Sequence, residues 1–152
     1  MNKHFLNKRL GHQLGFAGLV PFVLLALACW VVSSDWVASF VSAQQVYAIV
    51  ILSFLGGIHW GAIMTSGELT AVQTRRALSW SVVPTVLACM GTVCGPYNLA
   101  VLIVGFLGSY QIDKHVYPWY GMAEWFLRLR FILTCVVVAA LFVTMVAANT
   151  RG

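Results

Sequence analysis

QVYAIVILSFLGGIHWGAIM, residues 45–64, is a run of twenty residues without one Asp, Glu, Lys or Arg. A helix of about 20 apolar residues rises far enough, at about 1.5 Å each, to cross a hydrocarbon core about 30 Å thick. No soluble helix needs such a run on all its faces. Four more stretches answer to the same description: about Leu14 to Val32, Ala77 to Cys94, Tyr97 to Ile112 (the shortest) and Phe131 to Ala148. A segment inside the bilayer must satisfy its own backbone, and the two-residue alternation of a barrel strand is absent, so all five are predicted to be helices. The expected architecture is an all-α integral membrane bundle of five transmembrane helices, one domain over residues 1–152.

Composition agrees. Of 152 residues, 61% are apolar and 9% charged, and the mean hydropathy is +0.87. An average soluble domain carries about a quarter charged residues. The net charge of +5 comes from residues in the breaks between apolar runs, which argues against a nucleic-acid partner. With five spans, Lys3, Lys8, Arg9, Arg75, Arg76, Lys114, Arg128 and Arg130 fall on one side and Arg151 on the other. The positive-inside rule then places the N-terminus inside and the C-terminus outside. The basic side should attract anionic lipid headgroups.

Lys3, Lys8 and Arg9 ahead of an apolar run ending at Cys29 give the start of the chain the outline of a signal peptide. Ala26 three residues before Cys29, and continuation through Trp30-Val31-Val32, favour an uncleaved first span. Cys94-Gly95-Pro96-Tyr97 reads as a tight turn joining spans three and four. The four cysteines show no metal-ligand spacing. Cys29 and Cys94 share the outer end, where oxidation is chemically open.

Within the spans, Ser53, Gly57 and Gly61 recur every fourth residue, a small stripe on which another helix can pack closely; Pro84 in span three is a further packing and kink position. His59 lies about 160° around the helix from Gly61, on the face of Gly56 and Ile63. An ionisable residue inside a span is costly, so His59 is either a hydrogen-bonded packing residue or part of a site. Polar residues gather at the same inner end. The candidate cluster is His59, Trp60, Gln111, Asp113, His115 and Arg130, with Tyr120 and Glu124 within reach. The aromatic link from Tyr117 to Phe126 is expected to lie at headgroup level as a short interfacial segment before the last helix.

These residues resemble a small family of membrane proteins whose mitochondrial members are called transmembrane protein 69. The resemblance rests on Gly18 with Pro21-Phe22, on Ser53 through Gly61, on Ser81-Val-Val-Pro84, and on Trp125-Phe126, Leu129-Arg130 and Leu133-Thr134. It departs from the pattern at Phe126, where Tyr is usual. It implies an inner-membrane protein, bacterial or mitochondrial, and supplies no reaction.

Three functions compete at this level. The first is a non-enzymatic bundle acting by protein or lipid contacts, as an assembly factor, scaffold, small complex subunit or homo-oligomer. The second is a site for an apolar cofactor, quinone or haem, with His59 or His115 as ligand or donor. The third is proton-coupled transport through His59 and Asp113. Enzyme strings such as HExxH and GxSxG are absent from the sequence, and no metal ligand set is expected.

Overall fold

A computed structural model describes residues 3–67 and 69–151, with side chains from residue 8 onward. Five α-helices make up nearly all of it: α1 (Lys3–Val31), α2 (Ser34–Thr65), α3 (Ala71–Val93), α4 (Asn98–Val116) and α5 (Glu124–Arg151). Two short 3-10 turns, Gly95–Tyr97 and Tyr117–Tyr120, flank α4. The chain is an all-α membrane bundle. Helices α1, α2, α3 and α5 are long and apolar enough to cross a membrane. Helix α4 falls short in composition because its last turns carry Asp113, Lys114 and His115. Its 19 residues still extend about 28 Å, alongside α3.

Contacts between successive helices run antiparallel. Tyr47 of α2 donates to the Gly18 carbonyl of α1 at 2.9 Å, and Gln45 donates to the Gly91 carbonyl of α3 at 2.7 Å. Gly91 then meets Leu102 of α4, and Tyr110 of α4 meets Phe131 of α5. Helix α5 closes the ring by packing parallel to α1: Gly11 lies against Trp125 and Gly15 against Leu129 and Leu133. Helix α2 also touches α4 and α5, so it forms the centre of the bundle. The core of Phe22, Leu52, Leu102, Phe106 and Leu141 lies around it.

Four helices begin earlier than apolarity alone places them, α3 among them at Ala71 rather than Ala77. Helix α2 starts at Ser34 rather than Gln45, with Asp35 in its first turn, where a carboxylate suits the exposed N–H groups. Gln44 is fully buried there: it accepts from Thr144 of α5 at 2.6 Å and reaches the Phe22 carbonyl at 3.5 Å. Helix α5 starts at Glu124 rather than Phe131, which shortens the link before it. Helix α1 extends back to Lys3, and His12 stacks on Trp125 with ring centroids 5.4 Å apart.

The small stripe needs a correction. Gly57 and Gly61 face outward with nothing near them, and the close helix approach falls on Gly56. A Cβ at Gly56 would run into the backbone oxygen of Ser81, one turn ahead of the buried Pro84 in α3. At the end of the ring away from the basic residues, Arg151 donates to the Cys29 and Val32 carbonyls at 2.8 and 2.9 Å, capping α1. Cys29, Cys89, Cys94 and Cys135 are all free thiols.

Candidate functional site

Three of the ionisable residues singled out in the sequence meet inside the bundle. His59 of α2, Asp113 of α4 and Arg130 of α5 are 1%, 0% and 4% exposed. Parallel packing of α2 on α4 brings the first two to the same level, and antiparallel packing of α4 on α5 supplies the third. Nε2 of His59 lies 2.9 Å from Oδ1 of Asp113, and Nε of Arg130 donates to Oδ2 at 2.9 Å. Nη2 of Arg130 is buried 2.6 Å from that same oxygen, so the guanidinium pairs with Asp113 through two of its nitrogens. Nη1 donates to the Thr134 hydroxyl, one turn along α5, at 3.2 Å. Asp113 therefore belongs to the interior of α4, not to a surface link as the shorter span suggests. A carboxylate with a cation on one oxygen and an imidazole on the other is paired as burial requires.

The turn after α4 completes the site. Gly121, at φ +64°, occupies the left-handed region that favours glycine, and its N–H donates to the Pro118 carbonyl at 3.3 Å. The reversal folds Tyr117 and Tyr120 inward. The Tyr120 hydroxyl lies 3.2 Å from Nδ1 of His59, and the Tyr117 ring packs on the imidazole at 5.4 Å between centroids. These two residues therefore pack against the buried imidazole. Burial first, and the charge of Asp113 second, raise the Tyr117 phenol above its ordinary value and push Tyr120 up to about 12. Both stay protonated near neutrality. The Tyr117 hydroxyl and the Ser109 hydroxyl are buried without a hydrogen-bond partner.

The remaining candidates lie elsewhere. Trp60 is 46% exposed. Gln111 and His115 face outward, with Nδ1 of His115 on the Gln111 carbonyl at 2.7 Å. Glu124 makes only a loose, exposed ion pair with Arg128. Sequence reading missed Thr134, Tyr117 and Ser109 as site residues. Thr134 follows Arg130 by four, Tyr117 follows Asp113 by four and Ser109 precedes it by four, the spacing that puts side chains on one helix face.

Against this clamp lies a cavity of about 400 Å³ between α1, α2 and α5. Leu14 and Phe54 stand at its mouth and are largely exposed, so it opens sideways toward lipid. Leu19, Leu55 and Leu133 line the interior, and Arg130 is the one charged residue in the wall, with Thr134 beside it. As an axial haem ligand His59 does not fit, since both ring nitrogens are engaged. Among the described residues, no group of three His, Cys, Asp or Glu side chains is placed to hold a metal ion.

The chain is similar to curated proteins named transmembrane protein 69. With that of Xenopus tropicalis it shares 35% identity over 139 residues, 90% of this chain and 53% of the relative. With that of Mus musculus it shares 27% over 136 residues, 88% of this chain and 54% of the relative. The chain thus spans about half the length of the curated relatives it matches. No solved structure matches it. The family model described as "Protein of unknown function (DUF3429)" matches residues 8–146, which take in part or all of every helix and all three residues of the clamp, and the chain belongs to that family.

Proposed function

We propose that this protein is a bilayer-embedded binding protein that holds a small amphipathic membrane molecule in the cleft between α1, α2 and α5. It acts by binding rather than by catalysis. The observation that carries the reading is the cleft itself: about 400 Å³, apolar, open toward lipid, with Arg130 as the one charged residue in its wall. Small-molecule sites are typically about 300–1,000 Å³ and mostly apolar, with few polar groups to orient the occupant. The clustering of basic residues at one end of the helix ring supports an orientation with that end in the cytoplasm or mitochondrial matrix. The same end offers anionic lipid headgroups a basic surface. An inner membrane is the compartment this reading assigns.

Mass spectrometry of molecules retained after gentle extraction tests the proposal. Gly18 lines the cleft and a Cβ there meets nothing within 4 Å, so a Gly18→Phe side chain starts in open space and occupies part of the cleft. The native protein should retain about one amphiphile per chain, and Gly18→Phe should lose it. A native protein that retains none overturns the proposal.

A second reading, contact with another membrane protein or a second copy, is favoured by the outward-facing Gly57 and Gly61 with Ser53. Native mass measurement of the extracted protein tests it. A complex should appear and be lost in Gly57→Leu; a bare monomer in both counts against it.

A further inference from the structure

Independently of the cleft, we infer that a groove between α4 and α5 seats one zwitterionic phospholipid, phosphatidylethanolamine, with its phosphate on Arg128 and its ammonium on Glu124. The groove has a volume of about 580 Å³ and is lined by Tyr110 of α4 and by Glu124, Leu127, Arg128, Phe131 and Ile132 of α5. It shares no lining residue with the cleft. The Tyr110 ring packs on Phe131 with centroids 5.6 Å apart, so the deeper part of the groove is apolar and suits an acyl chain.

The length of α5 sets the level of the groove. Its 28 residues rise about 42 Å, and a bilayer with both headgroup layers measures about 40–45 Å around a hydrocarbon core of about 30 Å. An upright α5 therefore carries Glu124 to Arg128 through a headgroup layer and sets Phe131 and Ile132 beside the acyl chains. Half-buried Trp125, in the same turn, is a residue type that favours this layer.

The order of charge matches the lipid. Glu124 opens the helix, and Arg128 lies one turn deeper, about 6 Å along the axis. Phosphatidylethanolamine has the complementary order along the membrane normal: ammonium outermost, phosphate next, acyl chains beneath. The antiparallel register that sets Tyr110 beside Phe131 also carries exposed Lys114, one turn on along α4, to the level of Arg128. The phosphate level thus holds two cations and the ammonium level one anion.

Both side chains are free to serve. Their own ion pair is loose at 3.8 Å, and Arg128 and Glu124 are 81% and 92% exposed, so a lipid replaces one weak contact with two. The guanidinium presents a fork of N–H donors to the phosphate oxygens. A primary ammonium donates to the Glu124 carboxylate, which a choline headgroup, having no N–H, cannot do. An anionic headgroup without an amine meets only repulsion there. No covalent bond forms or breaks.

The test is native mass spectrometry of gently extracted protein offered equal amounts of phosphatidylethanolamine, phosphatidylcholine and phosphatidylglycerol with identical chains. Running it on Gly18→Phe as well tells a lipid in the groove from one in the cleft. Native protein and Gly18→Phe should both retain one phosphatidylethanolamine, favoured over each other lipid by about fivefold, the upper yield of an exposed ion pair. Glu124→Gln should hold phosphatidylethanolamine and phosphatidylcholine alike, and Arg128→Gln should weaken all three lipids together. Exchanging the two charges, Glu124→Arg with Arg128→Glu, keeps the net charge and the pair but inverts their order, so the preference should vanish. Circular dichroism checks that each variant is helical, and Glu124→Gln alone decides if the exchanged variant fails to fold. Equal retention of phosphatidylethanolamine and phosphatidylcholine by the native protein, a preference that survives in folded Glu124→Gln or in the exchanged variant, or phosphatidylglycerol held as tightly overturns the inference and leaves the cleft proposal standing. A preference lost in Gly18→Phe puts the lipid in the cleft and overturns it too.

Discussion

Replacing Asp113 by Asn removes the one negative charge that faces both His59 and Arg130. Arg130 is 4% exposed, so its cation would remain in the bundle without a counter-charge, the Thr134 hydroxyl and an amide oxygen being its neutral acceptors. Removing one partner of a buried ion pair costs about 3–5 kcal/mol. The amide also presents donors toward Nε of Arg130 or Nε2 of His59, both of which donate to the carboxylate in the native bundle. Asp113→Asn should therefore lose at least about 3 kcal/mol of stability. Arg130→Met keeps an unbranched side chain but leaves the buried Asp113 carboxylate without its cation, so it too should cost about 3–5 kcal/mol. In the double variant neither charge remains to be compensated. Its loss should fall short of the summed single losses by about 2–3 kcal/mol, the upper range of measured couplings. Reversible unfolding in mixed micelles, followed by tryptophan fluorescence, measures all three. Strict additivity, or an Asp113→Asn variant within about 1 kcal/mol of the native protein, would refute an electrostatic clamp.

Other perturbations probe different parts of the bundle. Gly56→Ala should lose about 1–3 kcal/mol as α2 is pushed off the Ser81 backbone, whereas Gly57→Ala should stay within about 0.5 kcal/mol in the same unfolding assay. Because Tyr120 titrates near 12 in the folded chain against an ordinary 10, the folded state holds more protons between those values. Stability should be unchanged by this group below pH 10 and decline as pH rises toward 12, less so in Tyr120→Phe. Arg151→Gln should fray the end of α1 without touching the cleft, seen as faster amide exchange near Cys29 with unchanged ligand retention.

The helical class and the number of helices follow from apolar runs, since the bilayer imposes a length that any sequence must meet. Helix ends follow less well. Gln44 dilutes the apolar signal ahead of Gln45, yet it is buried because Thr144, a hundred positions along the chain, satisfies its carbonyl. The same holds for Asp113. Read locally it terminates a span; in the bundle it is an interior residue because α2 and α5 bring it an imidazole and a guanidinium. Trp60 and His115 show the converse. Each is near the cluster in sequence and faces away from it, since residues one or two positions apart on a helix point in different directions. The role of the aromatic link turned on Gly121, whose left-handed turn sends Tyr117 and Tyr120 inward against His59. The cleft had no local signature, because its walls come from three helices.

Photolabelling most directly tests whether the cleft is a binding site rather than bare lipid-facing surface. A hexadecanol carrying a diazirine near its head, activated in nanodiscs and mapped by peptide mass spectrometry, should mark Leu19, Leu55 and Leu133 around the cleft and spare the exposed Phe142 of α5. Unlabelled hexadecanol should compete the label away. Labelling spread evenly over all lipid-facing residues, with no competition, would contradict the account.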